Sequence, residues 1–294
     1  MPPESSQPVV LLVTCSDMPD GEEWFGTSHL PTAFAERNID ARWVVWADPS
    51  VDWAAGLVAV RSTWDYEWRR EEFLAWARTV PWMLNSAEVF AWNTDKSYLP
   101  ELAAAGVPVV ATVLVDRKDD LPAAIAQVSA AGDGQPQAVV KPTVAAGGRG
   151  LVVVGGPGAG GSEFGPGPWV VQPMVDSVRT EGETSVFVLD GQVVSQAQKV
   201  PTSGEIRVHE QYGGTTVAVP VSEEAAELAR RTGEAASSLL GERLDYARVD
   251  EMRVADGTLS VSELEITEPG LYLEVLPENA GAFADLVAAR LTGR

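Results

Sequence analysis

Cysteine, histidine and lysine are all scarce in this chain of 294 residues. The single cysteine, Cys15, excludes intrachain disulfides and any zinc cluster built from cysteines. Because it follows an apolar, strand-like run, we interpret Cys15 as structural rather than as a nucleophile. Two histidines, His29 and His209, leave little for a histidine-rich metal site. A metal ion would therefore need oxygen ligands, which favours Mg²⁺ or Mn²⁺.

Positive charge and long apolar runs are also lacking. The formal net charge is -21 at pH 7, whereas proteins that bind nucleic acid irrespective of sequence need a basic face. No run approaches the ~18 apolar residues of a membrane-spanning helix. Residues 1–8 lack the basic start and apolar core of a signal peptide. We therefore expect a cytoplasmic protein that binds neither nucleic acid nor membranes.

The 10 tryptophans allow two interpretations. They leave room for an aromatic interface in a homo-oligomer, or they pack inside a large core. The residue content alone favours neither.

Short apolar runs predict the fold of the first part of the chain. Residues 9–13, 41–46 and 57–60 are each suited to a buried parallel strand, and residues 30–37 predict a helix between the first two. This alternation is typical of an open α/β sheet, in which ligands bind beyond the carboxyl ends of the strands. Residues 99–105 predict another helix, near the start of a second domain.

The clearest helix lies later in the chain. Residues 223–240 are bounded by Ser222, a favoured N-cap, and by Gly241, a favoured C-terminal stop. No internal repeat is visible.

Only four of the 21 basic residues are lysines, so the positions that use lysine are informative. Lys96 follows Asn-Thr-Asp at a predicted helix start, Lys141 ends an apolar run, and Lys199 closes a strand-like stretch. A phosphate-handling enzyme places ammonium groups in such contexts. Lys118 lies in a highly charged stretch and is most simply a solvated surface residue.

A glycine-dense segment, the glycine loop (residues 145–150), separates Lys141 from a strand-like run at residues 151–154. Glycines let backbone N–H groups approach phosphate oxygens closely. The segment is not a Walker P-loop, because no Gly-Lys-Ser/Thr follows and the next element is a strand. The alternative interpretation is an ordinary hairpin.

Acidic residues form the strongest local pattern. Alternation along two strand-like runs places Arg248 and Asp250 on one face, and Glu263 and Glu265 on one face. A two-residue loop at Asp256-Gly257 sets Asp250 opposite Glu263 and Arg248 opposite Glu265. Opposed carboxylates destabilise a sheet unless they are neutralised, and a divalent cation would do so. The alternative is a solvated strand face.

Taken together, these features resemble the ATP-grasp superfamily of carboxylate-amine ligases, from about residue 9 to about residue 291. The resemblance implies an α/β (α+β) ATP-grasp fold in which an N-terminal open parallel α/β domain precedes two α+β subdomains that clasp ATP. The implied divisions are an N-terminal domain at 1–95, a central subdomain with the glycine loop at 96–171, and a C-terminal subdomain with the metal site at 172–294.

The resemblance assigns most of these residues to the nucleotide. Gln172 would contact adenine with Val175 as the backbone contact, and Glu183 would hold the ribose; from the residues alone, Gln172 is more often simply a strand end. The other implied ATP-binding residues are Lys96, Lys141, Gly147, Gly148, Gly150 and Lys199.

The resemblance also implies a metal site and catalytic arginines. Asp250, Glu263 and Glu265 show the ligand spacing of D-alanine:D-alanine ligases, which implies Mg²⁺ or Mn²⁺, as two ions. Many family members carry asparagine at the position of Glu265, so its carboxylate adds negative charge and shifts metal preference. Arg248 and Arg207 are the candidates for stabilising the transferred phosphoryl group and the tetrahedral oxyanion.

A small amino-acid-like substrate is implied as well. Arg61, after a predicted strand end, would pair with its carboxylate, Asp65 would shape the pocket, and Glu268 would meet its ammonium. The alternatives are a surface arginine and aromatic packing between domains. His209 is a weaker candidate for a base.

Three functions follow from the resemblance. The first is ATP-dependent activation of a carboxylate as an acyl phosphate and intramolecular C–N ring closure of an O-ureido amino acid, an antibiotic-forming reaction of the cycloserine type. This reaction is known from a small glutathione-synthetase-like branch whose motifs resemble residues 61–66, 204–214 and 263–269. The second is an intermolecular peptide or glutamate ligase, and the third is a nucleotide-binding protein without catalysis.

Overall fold

The computed structural model of the protein describes residues 7–23, 29–130, 137–155 and 164–293. Within these ranges twelve strands form three sheets that follow one another along the chain. The first six residues, on which part of the signal-peptide argument depends, lie outside the described residues. None of the helices in the described ranges is long and apolar enough to cross a membrane.

The first sheet is parallel, as its apolar strands predicted. It contains β1 (Val9–Thr14), β2 (Asp40–Val45) and β3 (Leu57–Ser62) in the order β2-β1-β3, and helix α1 (His29–Glu36) connects β1 to β2. Each element begins within one residue of its predicted start. Helix α2 (Tyr66–Ala77) follows β3, so its first turn lies at the carboxyl edge of this sheet, where ligand-binding loops occur.

Two short helices lead into the second sheet. They are α3 (Ala87–Asn93) and α4 (Tyr98–Ala104), with Lys96 between them. Helix α4 confirms the helix predicted at residues 99–105, and Gly106 ends it with a positive φ of 87°.

The second sheet is antiparallel. Its elements are β4 (Val113–Val115), helix α5 (Leu121–Ser129), β5 (Ala138–Pro142), β6 (Val152–Val154) and β7 (Trp169–Pro173), and the strand order is β4-β7-β5-β6. Strands β5 and β6 pair directly, so the glycine loop connects two neighbouring strands, as predicted.

The third sheet is also antiparallel. Its strands are β8 (Glu183–Leu189), β9 (Gln192–Val200), β10 (Thr215–Val219), β11 (Tyr246–Arg253) and β12 (Leu259–Glu265). They lie in the order β10-β9-β8-β11-β12, which places the two predicted acidic strands side by side at one edge.

Two long helices cover the sheets. Helix α6 (Glu223–Leu240) matches the prediction at both ends: the Ser222 hydroxyl accepts a hydrogen bond from the Ala225 N–H, and Gly241 adopts a left-handed φ of 71°. Helix α7 (Glu278–Thr292) packs against α1 and joins the cores of the first and third sheets.

The predicted domain boundaries after residues 95 and 171 remain predictions. The first falls between α3 and α4, whereas the second falls inside β7.

Candidate active site

The acidic hairpin of β11 and β12 brings three carboxylates together. Asp250 lies opposite Glu263, and Arg248 lies opposite Glu265, as the sequence predicted. One oxygen atom from each of Asp250, Glu263 and Glu265 lies within 4.8 Å of the others. Three convergent carboxylates are a donor set for a hard divalent cation, so these residues fit such an ion.

The pairing is correct although the predicted turn is wrong. A two-residue loop would pair 255 with 258, but the Val254 N–H instead donates to the Thr258 carbonyl, and Arg253 lies opposite Leu259. This turn alone would move the acidic residues out of line by one position. A bulge at Ser262 restores the register, and its hydroxyl donates to a Glu183 oxygen at 2.7 Å.

Cations compensate the acidic cluster. The Arg248 guanidinium donates to both Asp250 oxygens at 3.0 Å and to Glu265 at 2.5 Å, and the Lys199 ammonium lies 3.0 Å from Asp250. Burial raises the pKa of Asp250, but Arg248 and Lys199 outweigh it and hold that pKa well below its usual value. Burial together with the neighbouring carboxylates raises the pKa of Glu265 to about 7, against the opposing effect of Arg248.

The three predicted lysines converge on the same cleft but differ in their partners. Lys96 lies 3.1 Å from Glu263, and Lys199 lies 2.6 Å from Glu183. Lys141 also lines the cleft, and no ion pair within 4.0 Å involves it among the described residues. Burial lowers the pKa of Lys141, and the nearby carboxylates, Glu263 first among them, offset this effect only in part.

An apolar region occupies the other end of the cleft. Its side chains are Val139, Leu151, Met174, Val178, Ile206, Val208 and Met252. The cleft, with about 1110 Å³ of empty space partly open to solvent, is thus apolar at one end and densely charged at the other. This division suits a base and a polyphosphate. Gln172 and Val175 border the apolar end, and the Gln172 amide donates to the Thr112 hydroxyl at 2.9 Å.

Most of the predicted residues line this cleft. Those that do are Lys96, Lys141, Gly147, Gly148, Gln172, Val175, Glu183, Lys199, Arg207, Arg248, Asp250, Glu263 and Glu265.

Gly150 is different from the other two loop glycines. All three have positive φ, of 59° at Gly147, 69° at Gly148 and 71° at Gly150. A Cβ on Gly150 would lie 3.0 Å from the ring of Pro142, so this position lets the chain turn closely past β5.

The three predicted substrate residues are not among the described residues that line the cleft. Arg61 is fully buried: its Nε lies 2.8 Å from Glu22 and one Nη donates to the Pro269 carbonyl. The remaining Nη has no hydrogen-bond partner among the described residues, and the side chain does not line the cleft, so the predicted substrate contact stays a prediction.

The other two predicted substrate residues also have partners. Asp65 accepts a hydrogen bond from the Trp46 indole at 2.8 Å, and burial raises its pKa. Glu268 is buried near Tyr66, and burial raises its pKa to about 8, with Glu265 adding to the shift.

The segment 204–214 forms one wall of the cleft. Arg207 is paired with Glu205 at 2.6 Å, and its guanidinium carbon lies 3.6 Å from the centre of the Tyr212 ring. The His209 ring nitrogen accepts the Gln211 N–H at 3.2 Å, and burial lowers the pKa of His209.

Sequence reasoning missed residues that the fold brings in. Tyr272 lines the cleft with a positive φ of 54°, and its ring lies 5.0 Å from the Arg248 guanidinium carbon. No sequence pattern marks it. Met252, by contrast, follows Asp250 by two positions on the same strand, so alternation alone would have placed it on the cleft face.

Comparisons with known proteins agree with this geometry. Residues 121–270 match the sequence profile of the prokaryotic glutathione synthetase ATP-grasp domain. The chain belongs to the ATP-grasp family. This ATP-grasp protein is an ATP-dependent ligase, and its family uses ATP together with divalent metal ions. Residues 10–87 also match the N-terminal domain of D-cycloserine synthetase DcsG.

Individual relatives extend the likeness to the whole chain. The ATP-grasp protein described here is 32% identical over 271 residues to the cycloserine biosynthesis protein DcsG of Streptomyces lavendulae, covering 84% of this chain and 87% of the relative. A crystal structure of D-cycloserine synthetase DcsG is similar with a TM-score of 0.81 and 28% identity, covering 97% of this chain and 100% of the other.

A more distant ligase shares the fold. The ATP-grasp ligase PsnB, solved with a phosphomimetic variant of its minimal precursor, Mg and ADP, has a TM-score of 0.65 at 18% identity. That comparison covers 97% of this chain and 99% of PsnB.

Proposed function

We propose that this ATP-grasp ligase closes the ring of a cycloserine-type product from an O-ureido amino acid. ATP would phosphorylate the substrate carboxylate, and the amino-oxy nitrogen of the same molecule would attack the acyl phosphate and expel phosphate. Water would take up the carbamoyl group from that nitrogen as carbamic acid, which breaks down to carbon dioxide and ammonia. The observation that carries the proposal is the match of residues 10–87 to the N-terminal domain of D-cycloserine synthetase DcsG. The match of residues 121–270 to an ATP-grasp domain does not by itself indicate the substrate, because ligases that act on other substrates share this fold.

The charged end of the cleft supports the assignment of the phosphates. Lys141 offers an ammonium without a carboxylate partner among the described residues, whereas Lys96 and Lys199 would exchange part of their pairing for phosphate oxygens. Gly147 and Gly148 bring backbone N–H groups to the same end.

Asp250, Glu263 and Glu265 are the residues that would hold divalent cations, which we propose to be two Mg²⁺ or Mn²⁺ ions. When bound, such ions offset the negative charge of the polyphosphate. Glu265 supplies a carboxylate that Arg248 partly neutralises, so the extra negative charge at this position is compensated from within the hairpin.

Arg248 and Arg207 would stabilise charge that develops during transfer. Both guanidinium groups line the cleft beside the acidic cluster and the glycine loop. Removal of such a contact usually lowers kcat by ~10²–10³. Gln172 and Val175 would contact the adenine, and Glu183 the ribose.

The substrate would bind beside Glu268 and Tyr66, where a buried carboxyl group can meet an ammonium. Because one molecule supplies both reacting groups, a single pocket suffices. Contacts from Arg61 and Asp65 remain predictions, since neither is among the described residues that line the cleft. A homo-oligomeric state and a cytoplasmic location also remain predictions.

The test supplies the protein with ATP, Mg²⁺ and O-ureido-serine of either configuration, with no other amine. We expect phosphate release together with the cyclised product, and loss of both in Asp250→Asn. Release that requires a second amino acid would overturn the proposal in favour of intermolecular ligation. Absence of turnover with every amino acid, while ATP still binds, would indicate a nucleotide-binding protein without catalysis.

A further inference from the structure

The glycine loop is attached to the first part of the chain by one carboxylate. Glu67 is the second residue of α2, and one of its oxygens accepts the Ala146 N–H at 2.7 Å. Its other oxygen accepts a hydrogen bond from the Arg149 guanidinium. The Glu67 side chain is only 5% exposed, although it lies at the start of a surface helix.

Arg149 adds further contacts at the same place. Its guanidinium carbon lies 4.7 Å from the centre of the Trp68 ring, and one Nη donates to the Trp64 carbonyl at 3.4 Å. Glu67 therefore binds the loop at Ala146 and at Arg149, on either side of Gly147 and Gly148, the two glycines that line the cleft.

Other groups hold the loop from different directions. The Gln211 amide donates to the Gly147 carbonyl at 2.8 Å, and the Lys96 ammonium donates to the Ala145 carbonyl at 2.6 Å. Trp64, Glu67 and Trp68 hold the loop from the side of α2, whereas Gln211 and Lys96 hold it from other parts of the chain. The three left-handed glycines of the loop lose much conformational freedom when fixed, so such a loop needs external contacts to keep one conformation.

The geometry distinguishes this pair from an ordinary surface ion pair. Exposed pairs contribute little because water and salt screen them, whereas Glu67 is buried and its second oxygen is committed to a backbone N–H. Tyr66, the preceding residue, lies near Glu268. The start of α2 therefore touches the loop at the phosphate end of the cleft and lies near the carboxyl group assigned above to the substrate.

We propose that Glu67 is a positioning residue that holds the glycine loop over the ATP phosphates through Ala146 and Arg149. The inference rests on the proposed binding of ATP phosphates by this loop. Glu67 itself does not line the cleft among the described residues, so it acts on the nucleotide through the loop.

Steady-state kinetics provide the first test. Glu67→Ala removes both hydrogen bonds between this carboxylate and the loop, and we expect it to raise KM for ATP at least about tenfold, the effect of losing a single charge-assisted hydrogen bond. KM for the amino-acid substrate should change less. More ATP should be hydrolysed per product formed, because a displaced loop admits water. Glu67→Gln retains an acceptor for the Ala146 N–H, so we expect an intermediate effect.

The matched control is Glu71→Gln on the same helix, where the side chain is 89% exposed; its kinetics should equal those of the wild type. If Glu67→Ala does not fold, Glu67→Gln carries the test; Arg149→Ala cannot replace it, because Arg149 itself lines the cleft. Unchanged KM for ATP and unchanged coupling in all folded variants would overturn the proposal.

Limited trypsin digestion reports on the loop without catalysis. We expect cleavage after Arg149, identified by mass spectrometry, to be slow in the wild type and in Glu71→Gln and faster in Glu67→Ala. Equal cleavage rates would contradict the proposal. If ATP neither stabilises nor protects the wild type while Glu67→Ala is still cleaved faster, then the loop contact exists and the assigned nucleotide function has failed.

Discussion

At the scale of single residues, Asp250 and Glu251 show how one strand controls protonation. Asp250 faces Arg248 and Lys199, which hold its pKa down, so it stays ionised. Glu251 points to the opposite face of β11 and is fully buried, and neither of its carboxylate oxygens has a hydrogen-bond partner among the described residues. Burial, with a smaller contribution from repulsion by Asp250, raises the pKa of Glu251 to about 9. The Glu251 carboxyl group is therefore neutral at pH 7.

The lysines provide a prediction at this scale. Lys141→Met should raise KM for ATP by about tenfold to a hundredfold, as expected for loss of a charged hydrogen-bond donor to phosphate. Without nucleotide its Tm should equal or exceed that of the wild type, because the variant no longer buries a cation that lacks a close carboxylate.

Lys118→Met is the matched control. Lys118 is exposed in the short helix Lys118–Asp120, so we expect unchanged KM for ATP and unchanged Tm. If the Lys118 and Lys141 variants show equal KM values for ATP, the role assigned to Lys141 is wrong.

At the scale of elements, the acidic hairpin depends on two compensating irregularities. The turn at residues 254–258 offsets β11 and β12 by one residue from the predicted pairing, and the bulge at Ser262 reverses that offset before the cluster begins. A one-residue slip would turn Glu263 and Glu265 to the opposite face. The pairing of the acidic residues therefore rests on the bulge as well as on the turn.

Substitution by alanine should have opposite effects on the free energy of unfolding at two glycines that have open space around them. Gly257 in the turn has a φ of 85°, so Gly257→Ala should lower the free energy of unfolding by about 1 kcal/mol. Gly233 lies inside α6, so Gly233→Ala should raise the free energy of unfolding by about 0.5–1 kcal/mol. Urea denaturation measures both values, and the same sign for the two variants would refute this interpretation. Neither should alter KM for ATP.

At the scale of the whole molecule, the cleft draws on residues far apart in sequence. The glycine loop joins two strands of the second sheet, the acidic cluster lies on the third, and the start of α2 reaches the loop from the side of the first. A ligand in this cleft contacts parts of the chain that are otherwise linked mainly through the shared core.

Nucleotide binding should therefore stabilise the entire fold. At a ligand concentration of about 100 times Kd, the expected gain is about 2.7 kcal/mol, seen as a rise in Tm with ATP and Mg²⁺. We expect EDTA to reduce this rise, and Asp250→Asn to reduce it without EDTA. Asp256→Asn, in the turn of the same hairpin, should behave as the wild type. A Tm that is insensitive to saturating ATP and Mg²⁺ would refute the assignment of the cleft.

The parts that were predictable are those governed by near neighbours. Helix α6 follows from its apolar face, from Ser222 and from Gly241, and the strand–loop–strand around Lys141 follows from its valines and glycines. Arg61 shows the limit of such reasoning: its place after a strand end predicted a ligand contact, which stays a prediction, but did not reveal its contacts with Glu22 and Pro269, which are distant in sequence. Glu67 and Tyr272 had no distinguishing local pattern.

The sequence by itself determined the first three strands, helices α1, α4 and α6, and the face on which the acidic residues lie, because periodicity, caps and alternation act over a few residues. Only the tertiary structure decided which of these groups meet, which charges are neutralised and which are hidden. Those outcomes depend on contacts between residues tens to hundreds of positions apart, such as Ala146 with Glu67 and Lys199 with Asp250. No short-range pattern encodes contacts of that kind, since they arise only when the sheets pack together.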